Sequence, residues 1–324
     1  MSFPAVPEYS DERGLFVAQD PRLRAMILPL FAFDPRDQGG RPAGHGTAFR
    51  VDPWGGCATA FHVIEDLLTI DEGRAVLRDD LRLVALEFEH VAYGTVALPR
   101  DSWRPFSGMF SLCSIENPPL AAPRIRNVTE IAYVEIQRSA GARRDAPFLP
   151  MDVRRWQPTI GDRVMALGFA DLDVDHRGEG DARAMTQYLY GSLATIVEVR
   201  PPESSSGRPW PLLVVEAEWP GGMSGGPVFN EDGHVIGLVS TGVVGAGIST
   251  VASFAGWNVA EQTFQTIDAP NPGWIRCWAA LDASEGIVGI APAQEALEAL
   301  VSDGAAQELA FVALNPLTGD FMLL

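Results

Sequence analysis

The chain has 324 residues, of which 47% are hydrophobic, and a formal net charge of −18 at neutral pH. This apolar content can fill a sizeable core and argues against disorder, and the length suits one large domain or two modest ones. Because the charge is acidic and no basic stripe is present, a phosphate-tracking surface is disfavoured and no nucleic-acid partner is expected.

Short apolar runs separated by Gly, Pro and Asp follow one another along the chain. This pattern is typical of an all-β protein built as a sandwich or a pair of barrels. The longest early run, residues 25–33, has the length of a strand, so no membrane association is expected. In chain order the runs are RAMILPLFAF, HGTAFRV, CATAFHV, LRLVALEF, EIAYVEI, RVMALGF, YGSLATIVEV, PLLVVEAE, GGPVF, HVIGLVST and GAGISTV.

The predicted boundary between two β units is the segment 139–157, which is poor in apolar residues. We predict an N-terminal barrel over residues 1–150, a C-terminal barrel over 151–260 and a small α/β extension over 261–324. In the extension, the spacing in PAQEALEALV predicts a short helix. The runs ELAFVAL and GDFMLL predict a closing hairpin.

The cysteines and the N-terminal sequence indicate the cellular compartment of the protein. Cys57, Cys113 and Cys277 are odd in number and widely spaced, which indicates neither a disulfide framework nor a zinc knuckle. The N-terminus is acidic where a secretory signal would be basic, so a cytoplasmic location is expected.

All 24 cationic residues of the chain are Arg, and lysine is absent. Codon usage in a GC-rich genome is one explanation for the absence of lysine. The alternative is that the protein acts in the presence of enzymes that modify lysine side chains.

Ser224 lies in the glycine-rich stretch GGMSGGPV. One interpretation is a tight turn between strands. The other is a nucleophile, whose glycines let substrate and backbone N–H groups approach without obstruction. The G-x-S-x-G elbow of α/β-hydrolases needs its histidine well downstream, and His234 follows too closely to serve. If Ser224 is a nucleophile, the opposite order, with the histidine before the serine, fits the sequence better.

The stretches CATAFHV, containing His62, and GMSGGPV resemble the TAxH and GxSGGP motifs of chymotrypsin-like (trypsin-like) serine proteases. The acid of that family lies in a D-I-A-x-L pattern, which Glu130 and the residues after it resemble. The order His, acid, Ser is also that of the family. The resemblance spans about residues 25–250 and implies a double β-barrel and a serine endopeptidase with an acyl-enzyme intermediate. It implies the triad His62, Glu130 and Ser224, an oxyanion hole of the Gly222 and Ser224 N–H groups, and no cofactor or metal.

Two positions depart from the family pattern. Glu130 stands where Asp is usual, although a longer carboxylate can still accept the imidazole N–H. Asp101 and Asp152 are alternative acids, and a chain with no acid would be a peptide-binding pseudoprotease. Met223 stands where secreted members have Asp, so activation by cleavage is not expected. That form is similar to intracellular bacterial and Deg/HtrA-type proteases, without an evident PDZ domain.

The resemblance also implies substrate contacts. Glu218 corresponds to the base of the primary pocket, where a carboxylate would attract Arg or Lys, although its alternation with Val215 and Ala217 equally fits a half-exposed strand. An extended substrate is expected to pair with the strand at Ser240, Thr241 and Gly242. Protein or peptide substrates are therefore expected, with a possible regulatory partner that restrains the enzyme. The absence of lysine motivates the alternative of a protease that processes or deconjugates a ubiquitin-like protein.

Overall fold

The computed structural model describes residues 3–37, 42–51, 56–87, 94–97, 103–111, 113–127, 129–136, 147–151, 157–170, 172–174, 184–202, 210–243, 245, 247–254, 265–267, 274–284, 286–314 and 321–323. The chain forms two compact units, Met1–Gly256 and Trp257–Leu324. Within the described ranges, no helix is long and apolar enough to cross a membrane.

The first half of the larger unit consists of short strands and two short helices. They are β1 (Leu15–Val17), α1 (Pro21–Met26), β2 (Ile27–Phe33), β3 (Ala43–Arg50), β4 (Gly56–Ala60), α2 (Phe61–Glu65), β5 (Leu68–Asp71), β6 (Arg74–Leu77), β7 (Arg82–Leu86), β8 (Gly94–Ala97), β9 (Trp103–Phe110), β10 (Cys113–Glu116), β11 (Arg124–Asn127) and β12 (Ile131–Ile136). Helix α1 begins with a Pro at its first position and is capped by Asp20, which accepts from Arg22 N.

Six of these strands close into an antiparallel barrel in the order β12-β4-β3-β2-β7-β9. Closure pairs the backbone of every strand on both sides and leaves no exposed edge. Strands β2, β3 and β4 carry almost continuous buried runs that fill the interior. Small hairpins, β5 with β6 and β10 with β11, lie outside this ring.

The second half of the larger unit supplies another ring of strands. These are β13 (Arg163–Phe169), β14 (Asp173–Val174), β15 (Ala184–Gln187), β16 (Leu189–Arg200), β17 (Leu212–Val215), β18 (Pro227–Phe229), β19 (Val235–Val243) and β20 (Ile248–Ser253). The order β16-β13-β18-β19-β20-β17 returns to its start because β17 also pairs with β16. The N-terminal strand β1 adds to this ring by pairing with β16. The chain therefore crosses between the two rings at its start.

The smaller unit is a five-stranded antiparallel sheet with a helix. Its elements are β21 (Gln265–Ile267), β22 (Trp274–Leu281), β23 (Ile287–Ala291), a 3₁₀ turn (Gln294–Ala296), α3 (Glu298–Ser302), β24 (Glu308–Leu314) and β25 (Phe321–Leu323). Strands β24 and β25 pair as neighbours. Leu297 is buried beside Ala280 of the central strand.

The predicted fold class, an all-β double barrel with a small α/β extension, is confirmed by these two six-stranded rings. The domain limits at 150 and 260 stay predictions. The boundary segment 139–157 lies largely outside the described residues. Strand β1 lies with the second ring although it falls within the range predicted for the N-terminal barrel.

Candidate active site

His62 lies at the junction between β4 and α2. Strand β4 is made of small residues that are buried throughout, and the extended Ala60 begins the helix. Phe61, Val63 and Ile64 point into the core, which leaves the His62 side chain 34% exposed at the surface of the barrel. Apolar neighbours therefore anchor the helix and fix where the imidazole emerges.

Glu130 lies beside this histidine because β12 pairs with β4. The register places Ile131 opposite Ala60, and one step further Phe61 N donates to Glu130 O at 2.6 Å. The Glu130 carboxylate is buried, and its Oε1 lies 2.5 Å from His62 Nδ1. A carboxylate can only accept, so Nδ1 donates, and in the neutral imidazole Nε2 has the lone pair. The imidazole is thereby held in the tautomer that a general base needs.

Asn127, at the end of β11, supports the carboxylate from its other side. Its Nδ2 donates to Glu130 Oε2 at 3.0 Å, so both carboxylate oxygens are occupied. The sequence analysis missed this residue. Its proximity in the chain was a usable signal, since an amide three positions before a candidate acid can reach it across a turn.

Glu65 lies on α2 three residues after His62. Desolvation raises the pKa of Glu65, and the negative charges of Asp66 and Glu130 act in the same direction. Glu130 therefore acts electrostatically on a second carboxyl, on the helix that carries His62.

Ser224 lies in a compact backbone turn, residues 220–226, which we call the serine turn. Met223 N donates to Pro220 O at 3.3 Å, and Gly226 N donates to Met223 O at 2.9 Å. Gly222 has φ +88°, the left-handed value that a type II turn requires at its third residue. The turns 220–223 and 223–226 follow each other directly, and Ser224 lies just after the point where they meet.

Two donors of the serine turn are free. Among the described residues, the N–H groups of Gly222 and Ser224 have no hydrogen-bond partner. Buried or partly buried backbone groups are nearly always paired, so two free donors in one turn indicate a function. They are the two groups that the sequence analysis assigned to an oxyanion hole.

The glycines of the serine turn are required by close backbone contacts. A Cβ on Gly222 would lie 2.4 Å from Phe169 O. A Cβ on Gly225, where φ is +82°, would lie 2.3 Å from both Thr47 O and Thr59 Oγ1. Thr59 precedes His62 by three residues on β4. The glycines thus let the serine turn pack directly against the barrel that carries the histidine.

Further contacts link Ser224 to the first barrel. Thr47 N of β3 donates to Ser224 O at 2.8 Å. A Cβ on Gly46 would lie 2.9 Å from Val63 Cγ1 and 3.2 Å from Ser224 O. Val63, the residue after His62, and Ser224 therefore both lie against Gly46. The structure brings the predicted His62, Glu130 and Ser224 to one region. Asp101 and Asp152 lie outside the described residues.

The predicted substrate residues lie around the same turn. Ser224 Oγ donates to Ser240 O at 3.4 Å, so β19 passes beside the serine. Gly242 lies close to the backbone just before the serine turn, since a Cβ on Gly242 would lie 2.8 Å from Trp219 O. Glu218 is exposed and its Oε1 accepts from Gly245 N at 3.1 Å.

Met223 points away from the exposed face of the serine turn. It is fully buried in the apolar interior of the second ring, with Val215 and Val239 in the same cluster. An apolar side chain here has no charge to pair with an N-terminal amine. Burial of the thioether anchors the turn instead.

No group of three or more His, Cys, Asp or Glu side chains that could hold a metal ion is found in the described part of the chain. None of Cys57, Cys113 and Cys277 forms a disulfide.

A comparison with models of protein families identifies the class of this chain. The family model described as trypsin-like peptidase domain matches residues 46–238. The chain belongs to this family and is a trypsin-like serine protease of the chymotrypsin-like class. A solved structure, the Rv3671c protease from M. tuberculosis in its active form, aligns with 80% of this chain and 92% of its own at 18% identity and a TM-score of 0.40. No curated protein sequence matches significantly.

Proposed function

We propose that this protease cleaves peptide bonds through a triad of His62, Glu130 and Ser224. The observation that carries the proposal is the 2.5 Å contact between His62 Nδ1 and Glu130 Oε1. The contact supports Glu130 as the triad acid, despite the departure from Asp. The same contact favours the active protease over the pseudoprotease alternative, whose motivation was the departure from Asp at position 130.

The reaction follows from the protonation states. Ser224 Oγ attacks the scissile carbonyl carbon while His62 Nε2 takes its proton. The carbonyl oxygen becomes an oxyanion that accepts from the N–H groups of Gly222 and Ser224. The C–N bond then breaks, and the leaving amine takes the proton from His62. Water repeats the cycle on the acyl-enzyme and releases the acid.

We further propose that an extended substrate pairs with β19 at residues 240–242. The contact between Ser224 Oγ and Ser240 O supports this, because a backbone laid along that strand would pass the nucleophile. Glu218 as the base of a pocket for Arg or Lys remains a prediction. A reducing cytoplasmic location and control by a partner are also proposals, and three cysteines of which none forms a disulfide are consistent with the first of these.

Covalent labelling with a fluorophosphonate tests the proposed triad. The wild type, Ser224→Ala, His62→Ala and Glu130→Gln are treated in parallel and read by intact mass. The wild type should gain one adduct, Ser224→Ala none, and the other two should label far more slowly because the serine is no longer activated. Equal labelling of Ser224→Ala would place the nucleophile elsewhere, and equal labelling of Glu130→Gln would exclude that acid.

A further inference from the structure

Thr47 of β3 is fully buried, and each of its polar groups contacts the catalytic region. Its N–H donates to Ser224 O at 2.8 Å and its Oγ1 donates to Gly222 O at 2.7 Å. Oγ1 also accepts from Phe169 N at 3.0 Å. Its carbonyl accepts from Thr59 Oγ1 at 2.8 Å. One residue of the first barrel thus joins β4, β13 and the serine turn.

The direction of the Thr47 hydroxyl is determined by its partners. A hydroxyl has one proton to donate, and a backbone N–H can only donate. Because Phe169 N points its proton at Oγ1, the Thr47 proton is left for the carbonyl of Gly222. The hydroxyl therefore holds this carbonyl in one orientation.

The peptide groups of the serine turn alternate between held and available. The peptide joining Gly222 and Met223 is bonded at both ends, with its carbonyl on Thr47 and its N–H on Pro220 O. The peptide after Ser224 is likewise held, with its carbonyl on Thr47 N and its N–H on Val239 O. The peptide joining Gly221 and Gly222 carries the free N–H of Gly222, and the peptide joining Met223 and Ser224 carries the free N–H of Ser224.

Thr47 thus holds two peptide groups that alternate with the two donor peptides. The backbone dihedrals of Gly222 determine where its N–H points, and its carbonyl is fixed by the Thr47 hydroxyl. Gly222 can adopt many conformations, so without this bond the peptide joining Gly222 and Met223 could rotate. The direction of the Gly222 N–H, which belongs to the preceding peptide, would then no longer be fixed relative to the rest of the serine turn.

We propose that Thr47 is a positioning residue that keeps the oxyanion donors of Gly222 and Ser224 aligned for catalysis. This rests on the proposed function, because it presumes that an oxyanion forms at Ser224. Donors that are aligned before the reaction contribute in the transition state, so Thr47 should affect kcat and leave KM nearly unchanged.

The test compares Thr47→Val, which keeps the shape and removes the hydroxyl, with Thr47→Ser, which keeps the hydroxyl. Hydrolysis of p-nitrophenyl acetate gives kcat and KM, and thermal unfolding confirms that each variant is folded at the assay temperature. Thr47→Val should lower kcat about 10²-fold with little change in KM, and Thr47→Ser should retain most of the activity. Thr69→Val on the exposed face of β5 is the matched control and should behave as wild type.

The outcomes separate this inference from the proposed function. If the wild type and Ser224→Ala hydrolyse the ester equally, the proposed function fails and the inference with it. If Ser224→Ala is inactive and Thr47→Val keeps the wild-type kcat, the role of Thr47 alone is wrong. Equal losses in Val and Ser variants would also overturn it, since packing would then be the cause. If Thr47→Val does not fold, Thr47→Cys, a weaker donor, must show the lower kcat relative to Thr47→Ser.

Discussion

Replacing Glu130 with Gln should switch the tautomer of His62. The Gln side chain has the size of Glu but carries one acceptor and one donor where the carboxylate has two acceptors. Asn127 Nδ2 donates to one of these two positions and His62 Nδ1 occupies the other. The amide oxygen of Gln should turn toward Asn127, because the opposite orientation brings two NH₂ groups together.

This orientation directs the NH₂ group of Gln at His62 Nδ1. Nδ1 must then accept, so the imidazole proton moves to Nε2 and the base toward Ser224 is lost. We expect kcat to fall about 10⁴-fold, which corresponds to about 5.5 kcal/mol of transition-state stabilisation. Ester hydrolysis measures the loss, and ¹⁵N shifts of the histidine nitrogens report the tautomer.

Asn127→Ala provides the decisive control. Without the Asn127 donor, Gln at position 130 can turn its oxygen toward His62 and restore the productive tautomer. The double variant Asn127→Ala/Glu130→Gln should therefore be more active than Glu130→Gln alone, while Asn127→Ala in the wild-type background should lose less than about tenfold because the carboxylate remains. A Glu130→Gln variant within tenfold of wild type, or a double variant no better than the single one, would refute this reasoning.

Three further outcomes are expected. Met223→Ala should lower the free energy of unfolding by about 2–5 kcal/mol in urea titrations, because it opens a cavity in a buried cluster, and a loss below 1 kcal/mol would argue against the anchoring role. Glu218→Gln should reduce the preference for Arg or Lys over Ala at the cleaved position, measured with matched peptide amides, and an unchanged ratio would remove Glu218 from the pocket. Because the pKa of Glu65 is raised, its contribution to stability is present below the unfolded-state pKa and is lost as the pH rises through the folded-state pKa. The stability of Glu65→Gln relative to wild type should therefore increase between pH 4 and pH 7, and a difference independent of pH would contradict this.

Much of the fold and part of the site could be predicted from local sequence patterns. Apolar runs separated by turn residues predicted an all-β protein, either a sandwich or a pair of barrels, since strand length and turn chemistry are local properties. The resemblance of the motifs to chymotrypsin-like proteases implied the double barrel. Motif order singled out His62, Glu130 and Ser224. The pairing of β1 with the second ring was not predicted, because three residues carry too little pattern to identify a distant partner strand.

The sequence by itself singled out His62, Glu130 and Ser224 as candidates for acyl transfer and gave a reason why the turn around Ser224 is rich in glycine. Tertiary structure alone decided that Glu130 reaches His62, through the register of β12 on β4, and that Asn127 completes its contacts. It also decided the hydrogen bonds of Thr47, whose partners Phe169, Gly222 and Ser224 are far away in the chain. Hydrogen bonds between distant strands depend on barrel closure and register, and neither is encoded in any short stretch of sequence.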